Sequence, residues 1–77
     1  MFKKYRRKAI AELRDVTEQE VADGVQGLDA NSISISTADI DNGSPRIGDK
    51  IARNPLNHND QWLVAEDYFN ENFEEIQ

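Results

Sequence analysis

Seventy-seven residues, a net charge of −6 and no cysteine set the bounds. A chain of this length makes one domain, and it buries only about 60% of the surface that its unfolded form exposes. The missing cysteines exclude disulfide stapling, thiolate-held zinc and thiol catalysis together. No apolar run approaches the roughly 20 residues that a membrane-spanning helix needs.

The charge is unevenly spread. Residues 1–14 carry six basic side chains against Glu12, a balance of +5, whereas residues 15–77 carry three basic and fourteen acidic ones, a balance of −11. Basic residues near the start have no apolar stretch behind them, so they do not read as a signal peptide, and a cysteine-free chain suits the cytoplasm. A domain this small and unstapled gains stability by pairing, so a homodimer is one expectation.

Residues 2–16 support two readings. Phe2, Tyr5, Ala9, Leu13 and Val16 fall at helical spacing. Tyr5 to Leu13 also reads as an edge strand, basic at one end so that charge discourages chain-to-chain pairing. The strand is the reading preferred here, with residues 1–8 a basic segment free to move. Thr17-Glu18-Gln19-Glu20 is a capping box and predicts a short helix over 18–23, closed by Gly24. Residues 24–31, with two glycines, Asp29 and Asn31, read as a loop. Ser32 to Ser36 alternates strictly and predicts a strand with Ile33 and Ile35 facing inward. Ser36-Thr37-Ala38-Asp39 is a second cap pattern, and it predicts one helical turn over 37–42 that Gly43 and Ser44-Pro45 end. Lys50 to Arg53 reads as a strand that follows a Gly48-Asp49 turn and stops at Asn54-Pro55-Leu56.

From there the pattern predicts a long C-terminal helix. Asn57 can cap it, with Asp60 three positions on. Trp62, Ala65, Phe69, Phe73 and Ile76 then line one face, with Leu63 at the flank. Glu71, Glu74 and Glu75 oppose the helix dipole at the far end, which predicts fraying past Phe73.

Catalytic and metal chemistry find little to work with. His58 is the only histidine, and Asp49 and Asp60 are the acids that could join it, but one His with scattered carboxylates lacks ligand spacing. A calcium loop starting at Asp39 fails, because Ser44 stands where glycine is needed and Lys50 where an acid is needed. No glycine-rich phosphate loop or serine elbow is present. The expectation is a non-enzyme with no cofactor and no metal. Arg53, Asn54 and Trp62, with His58, form the candidate interface, since Arg and Trp are favoured anchors. The competing expectation has Trp62 in the core and Arg53 paired with a helix carboxylate such as Asp60. Lys3, Lys4, Arg6, Arg7 and Lys8 are the candidate nucleic-acid contacts, able to give salt-sensitive, non-specific binding that the acidic remainder would oppose.

The sequence also carries a family pattern. Tyr5-Arg6-Arg7-Lys8, Ala11 to Arg14, Ser34-Ile35-Ser36, Gly43-Ser44-Pro45 and Gly48-Asp49 lead into Ile51 to Pro55, Asn57-His58 and Asp60 to Ala65, with Tyr68-Phe69 and Asn72-Phe73 behind. This pattern resembles a family of small, largely uncharacterised proteins encoded by tailed bacteriophages and prophages. The segment from Gly48 to Ala65 is its most specific part, and Lys50 departs from the methionine that often stands there. The resemblance implies a phage-encoded accessory protein acting in the bacterial host cytoplasm, and it transfers no catalytic residue. The reading as a whole is a small α+β domain of two or three short strands, short capped helices and a C-terminal amphipathic helix. It binds a host or phage protein, with nucleic acid as the alternative partner and no membrane.

Overall fold

The computed structural model of the chain describes residues 1–4 and 10–75. Among these, four strands and three helices follow the order β1 (Glu12–Asp15), α1 (Glu18–Ala30), β2 (Ile33–Ser34), α2 (Thr37–Asp41), β3 (Lys50–Asn54), β4 (Asn57–Val64) and α3 (Glu66–Asn72). The fold is α+β, as the sequence predicts. The strands make one sheet of order β1-β3-β4-β2, antiparallel except that β2 runs parallel to β4.

Local chemistry sets several elements as expected. The Thr17 hydroxyl accepts from the Glu20 N–H at 3.1 Å, and the Glu20 carboxylate accepts from the Thr17 N–H at 2.9 Å. Ser36 caps α2 by accepting from the Asp39 N–H at 3.1 Å. Ile33 is buried, Ser34 is exposed and Ile35 packs on the core from its margin. The strand itself lasts only two residues, because Ser36 is already committed to the cap.

Three expectations need correction. The strand read over 5–13 lies later in the chain: β1 begins at Glu12, residues 10 and 11 are irregular, and residues 5–9 lie outside the described residues. The stretch 24–31 is largely helical rather than a loop. Gly24, at φ +70, ends the first helical segment as predicted, but the chain coils again and α1 runs on to Ala30 across that kink. The second segment carries Leu28, which is fully buried and joins Val16, Ile33, Ile51 and Leu63 in the core.

The third correction is the largest. Residues 57–64 are extended, and only 66–72 are helical. The Asn54 side chain accepts from the Leu56 N–H at 2.9 Å, which folds Pro55-Leu56 into the turn of a β-hairpin. Asn57 accepts from the Asn59 N–H at 3.1 Å, a local turn in place of the predicted helix cap. Between them, His58, Asn59 and Asp60 form a bulge, after which Gln61 to Val64 pair with Arg53 to Lys50. Ile51 opposite Leu63 sends both toward α1, while Ala52 opposite Trp62 sends those to the other face. Burying the five core side chains contributes about 1.5–3 kcal/mol each. Ile76, the last member of the predicted stripe, lies outside the described residues.

Candidate binding groove and its supporting carboxylate

The face of the sheet opposite the core carries α3 and, beside it, an open groove of about 620 Å³. Trp62 from β4, Tyr68 from α3 and Phe73 just past its end supply the rings, Ile10 supplies an aliphatic wall, and Asp39 and Asp60 stand at the rim. Tyr68 and Ile10 are 55% and 58% exposed, and Trp62 and Phe73 are half-buried. The rings hold one another in place. Phe73 stacks on Phe69 at 5.8 Å between centroids and meets Tyr68 edge-on at 6.1 Å. The Lys50 ammonium sits 4.9 Å from the centre of Phe69 and is paired with Asp15. Lys50 thus links β3 to α3 through the Phe69 ring.

What positions α3 is a buried acid. Asp49 is 1% exposed. One carboxylate oxygen accepts from the Ser44 hydroxyl at 2.7 Å and the Arg46 N–H at 2.8 Å. The other accepts from the Glu66 N–H, the first of α3, at 3.0 Å. Ala65 at the helix cap has no side-chain acceptor, so a carboxylate seventeen positions upstream supplies the cap. Gly48, at φ +104, lets this turn close, and the Glu66 carboxylate lies where a Cβ at Gly48 would stand. Gly43-Ser44-Pro45 and Gly48-Asp49, conspicuous in the sequence as turn signals, are thus the cradle of one acid.

The four residues proposed as an interface separate into two groups. Asn54 and Trp62 line the groove. Arg53 is on the opposite face of the sheet, where its Nε donates to the Glu12 carboxylate at 2.9 Å. His58 lies 3.5 Å from the same carboxylate oxygen. Arg53 therefore pairs with a carboxylate on β1 and not with Asp60. Lys3 and Lys4 are exposed, and Arg6, Arg7 and Lys8 lie outside the described residues. Among the described residues no group of three or more His, Asp or Glu side chains is placed to hold a metal ion, and His58 faces Glu12 rather than Asp49 or Asp60. No helix among them is long and apolar enough to cross a membrane.

Tyr68, Phe73 and Ile10 belong to this region without having been singled out as a site, and Asp49 was weighed only as an acid beside His58. A signal for Asp49 existed in its surroundings: an acid that follows a glycine, near a serine, a proline and unpaired backbone N–H groups, meets the donors that let a carboxylate be buried.

A further ion pair joins β1 to the first turn of α1. Arg14 donates to both Glu20 oxygens, at 2.7 and 2.9 Å. Those bonds, helped by the Thr17 N–H, hold the Glu20 carboxyl at about 2, well below its ordinary value, and raise Arg14.

No family model matches this chain, and no curated protein or solved structure matches it either.

Proposed function

We propose that this protein is a non-enzymatic protein-binding module, a phage-encoded accessory protein that docks an extended segment of a host or phage protein in the aromatic groove, in the bacterial cytoplasm. One observation carries the reading: Trp62, Tyr68 and Phe73 surround an open groove that the chain itself leaves only partly covered. Large rings held rigid at a concave surface are the usual anchors of protein recognition. The acidic rim at Asp39 and Asp60 and the net charge of −6 favour a segment that sets a bulky apolar residue beside Lys or Arg.

The phage origin rests on the resemblance of the Gly48–Ala65 segment and its companions. The absence of catalysis rests on side-chain commitments. Asp49 is spent on three donors, and His58 is exposed beside a single carboxylate that Arg53 already engages.

Selection of a random peptide library displayed against the full chain tests the proposal. The enriched peptides are expected to share a large apolar residue next to Lys or Arg. The selected peptide should bind Tyr68→Ala about tenfold more weakly or worse, with the variant's circular dichroism unchanged. A selection without consensus, or peptides that bind the variant as well as the parent, would reject the groove as the docking site.

A further inference from the structure

We infer that the groove also receives residues Met1 to Lys4 of a second copy of this chain, so that two copies associate by exchanging these arms. The inference rests on the groove being a docking site for an extended segment, and its own evidence is the arm. Met1 and Phe2 are 114% and 105% exposed, so a thioether and a phenyl ring stand in water with none of the described residues packed against them. Lys3 and Lys4 follow directly and are exposed as well. A bulky ring beside two cations is the chemistry that the groove selects: Trp62, Tyr68 and Phe73 can cover Phe2, and the Asp39 and Asp60 carboxylates can face the two lysines.

Placement adds a second argument. Ile10, which lines the groove, is only eight positions beyond Phe2, so each arm is tethered at the edge of a groove. Two such molecules brought groove to groove can each seat the other's arm under a two-fold axis, which makes the contact self-complementary and closes the assembly at two. The lopsided charge of the chain, +5 over residues 1–14 against −11 over the rest, then brings opposite signs together across the interface. Because arm and partner segment need the same rings, self-association competes with partner binding, and the pair of copies is the resting form.

Sedimentation equilibrium of the full chain from micromolar to millimolar concentration, at low and high salt, tests this. The expected result is a monomer–dimer equilibrium that weakens as salt rises. Phe2→Ala, at a fully exposed residue, should raise the dimer Kd about tenfold or more, and so should Tyr68→Ala. Mixing the two variants restores one intact arm and one intact groove, so the mixture should associate more tightly than either variant alone. A chain that stays monomeric at millimolar concentration, or a dimer indifferent to Phe2→Ala, overturns the inference. So does a Phe2→Ala change in Trp62 fluorescence that is the same at every concentration, since it would put the arm in its own groove. In the first two cases binding of the selected peptide is untouched, and in the third Phe2→Ala binds it more tightly, whereas failure of the docking reading removes peptide binding itself.

Discussion

Asp49→Asn is the most informative single change, because it keeps the shape of the side chain and alters only what its atoms can accept. In the parent protein one carboxylate oxygen takes the Ser44 hydroxyl and the Arg46 N–H, and the other takes the Glu66 N–H. An asparagine that keeps its oxygen on Glu66 points its NH₂ at Ser44 and Arg46. The serine oxygen can accept from it, but the Arg46 N–H cannot, and a donor then faces a donor. The variant loses one charge-assisted bond, worth about 1.5–3 kcal/mol, and gains an unpaired amide near the surface. A cost of about 2–4 kcal/mol follows. A 77-residue domain has about 4–12 kcal/mol in all, so the variant should still fold, with little margin. Each kcal/mol lowers Tm by about 4–8 °C at this size, and the expected drop is about 10–25 °C. Urea unfolding followed in parallel by Trp62 fluorescence and circular dichroism measures it. Hydrogen exchange should show the Glu66 amide losing protection ahead of the core strand amides. A variant within about 0.5 kcal/mol of the parent, with Glu66 still protected, would mean that the carboxylate does not hold α3 and that the account of the groove's wall is wrong.

Other outcomes follow from the same geometry. Glu20 is held at about 2 when folded and returns to its ordinary value near 4.5 when unfolded. Its contribution is therefore complete above 4.5 and is lost as pH falls toward 2; urea midpoints across that window should fall less steeply in Glu20→Gln, and an identical slope would refute the assignment. Leu28→Ala removes a fully buried side chain and should cost about 2–5 kcal/mol, enough to leave much of the population unfolded, whereas a mild effect would return residues 25–30 to the status of a surface loop. Arg53→Ala breaks only an exposed ion pair on the face away from the groove; it should change stability by less than about 1 kcal/mol and leave affinity for the selected peptide unchanged, and a weakened complex would show that the binding surface reaches both faces.

How much of this was legible depends on the range of the interaction. The Thr17 and Ser36 caps were readable because donor and acceptor lie within three residues of each other and no distant group competes. Lys50 to Arg53 was readable because Ile51 and Ala52 lie between two turn signals, Gly48-Asp49 and Asn54-Pro55, and the strand runs one residue further, to Asn54. Residues 57–64 misled because Trp62 and Ala65 fit a helical stripe with Phe69 and Phe73, while Trp62, Leu63 and Val64 fit a strand equally well. The deciding fact was the free edge of Lys50–Asn54, one hairpin turn away, which Gln61 to Val64 pair with. The same pairing separated Arg53 from Trp62, since neighbours along a strand face opposite ways. Gly24 and Gly27 suggested a loop by composition; Gly24 does break the helix, but burying Leu28 outweighs the helix penalty of about 1 kcal/mol at Gly27.

By itself the amino-acid string determined the class of fold, the starts of its first two helices and the concentration of aromatic residues in the last third. Hydrogen bonds that close within a few residues and alternation of polarity suffice for those, because they cost little chain entropy. Tertiary structure decided where β4 ends and α3 begins, which face each candidate residue shares and why Asp49 is buried. Each of those outcomes depends on groups far apart in the chain that meet only when the sheet has formed: a strand edge needing a partner, and a carboxylate whose third donor lies seventeen residues away.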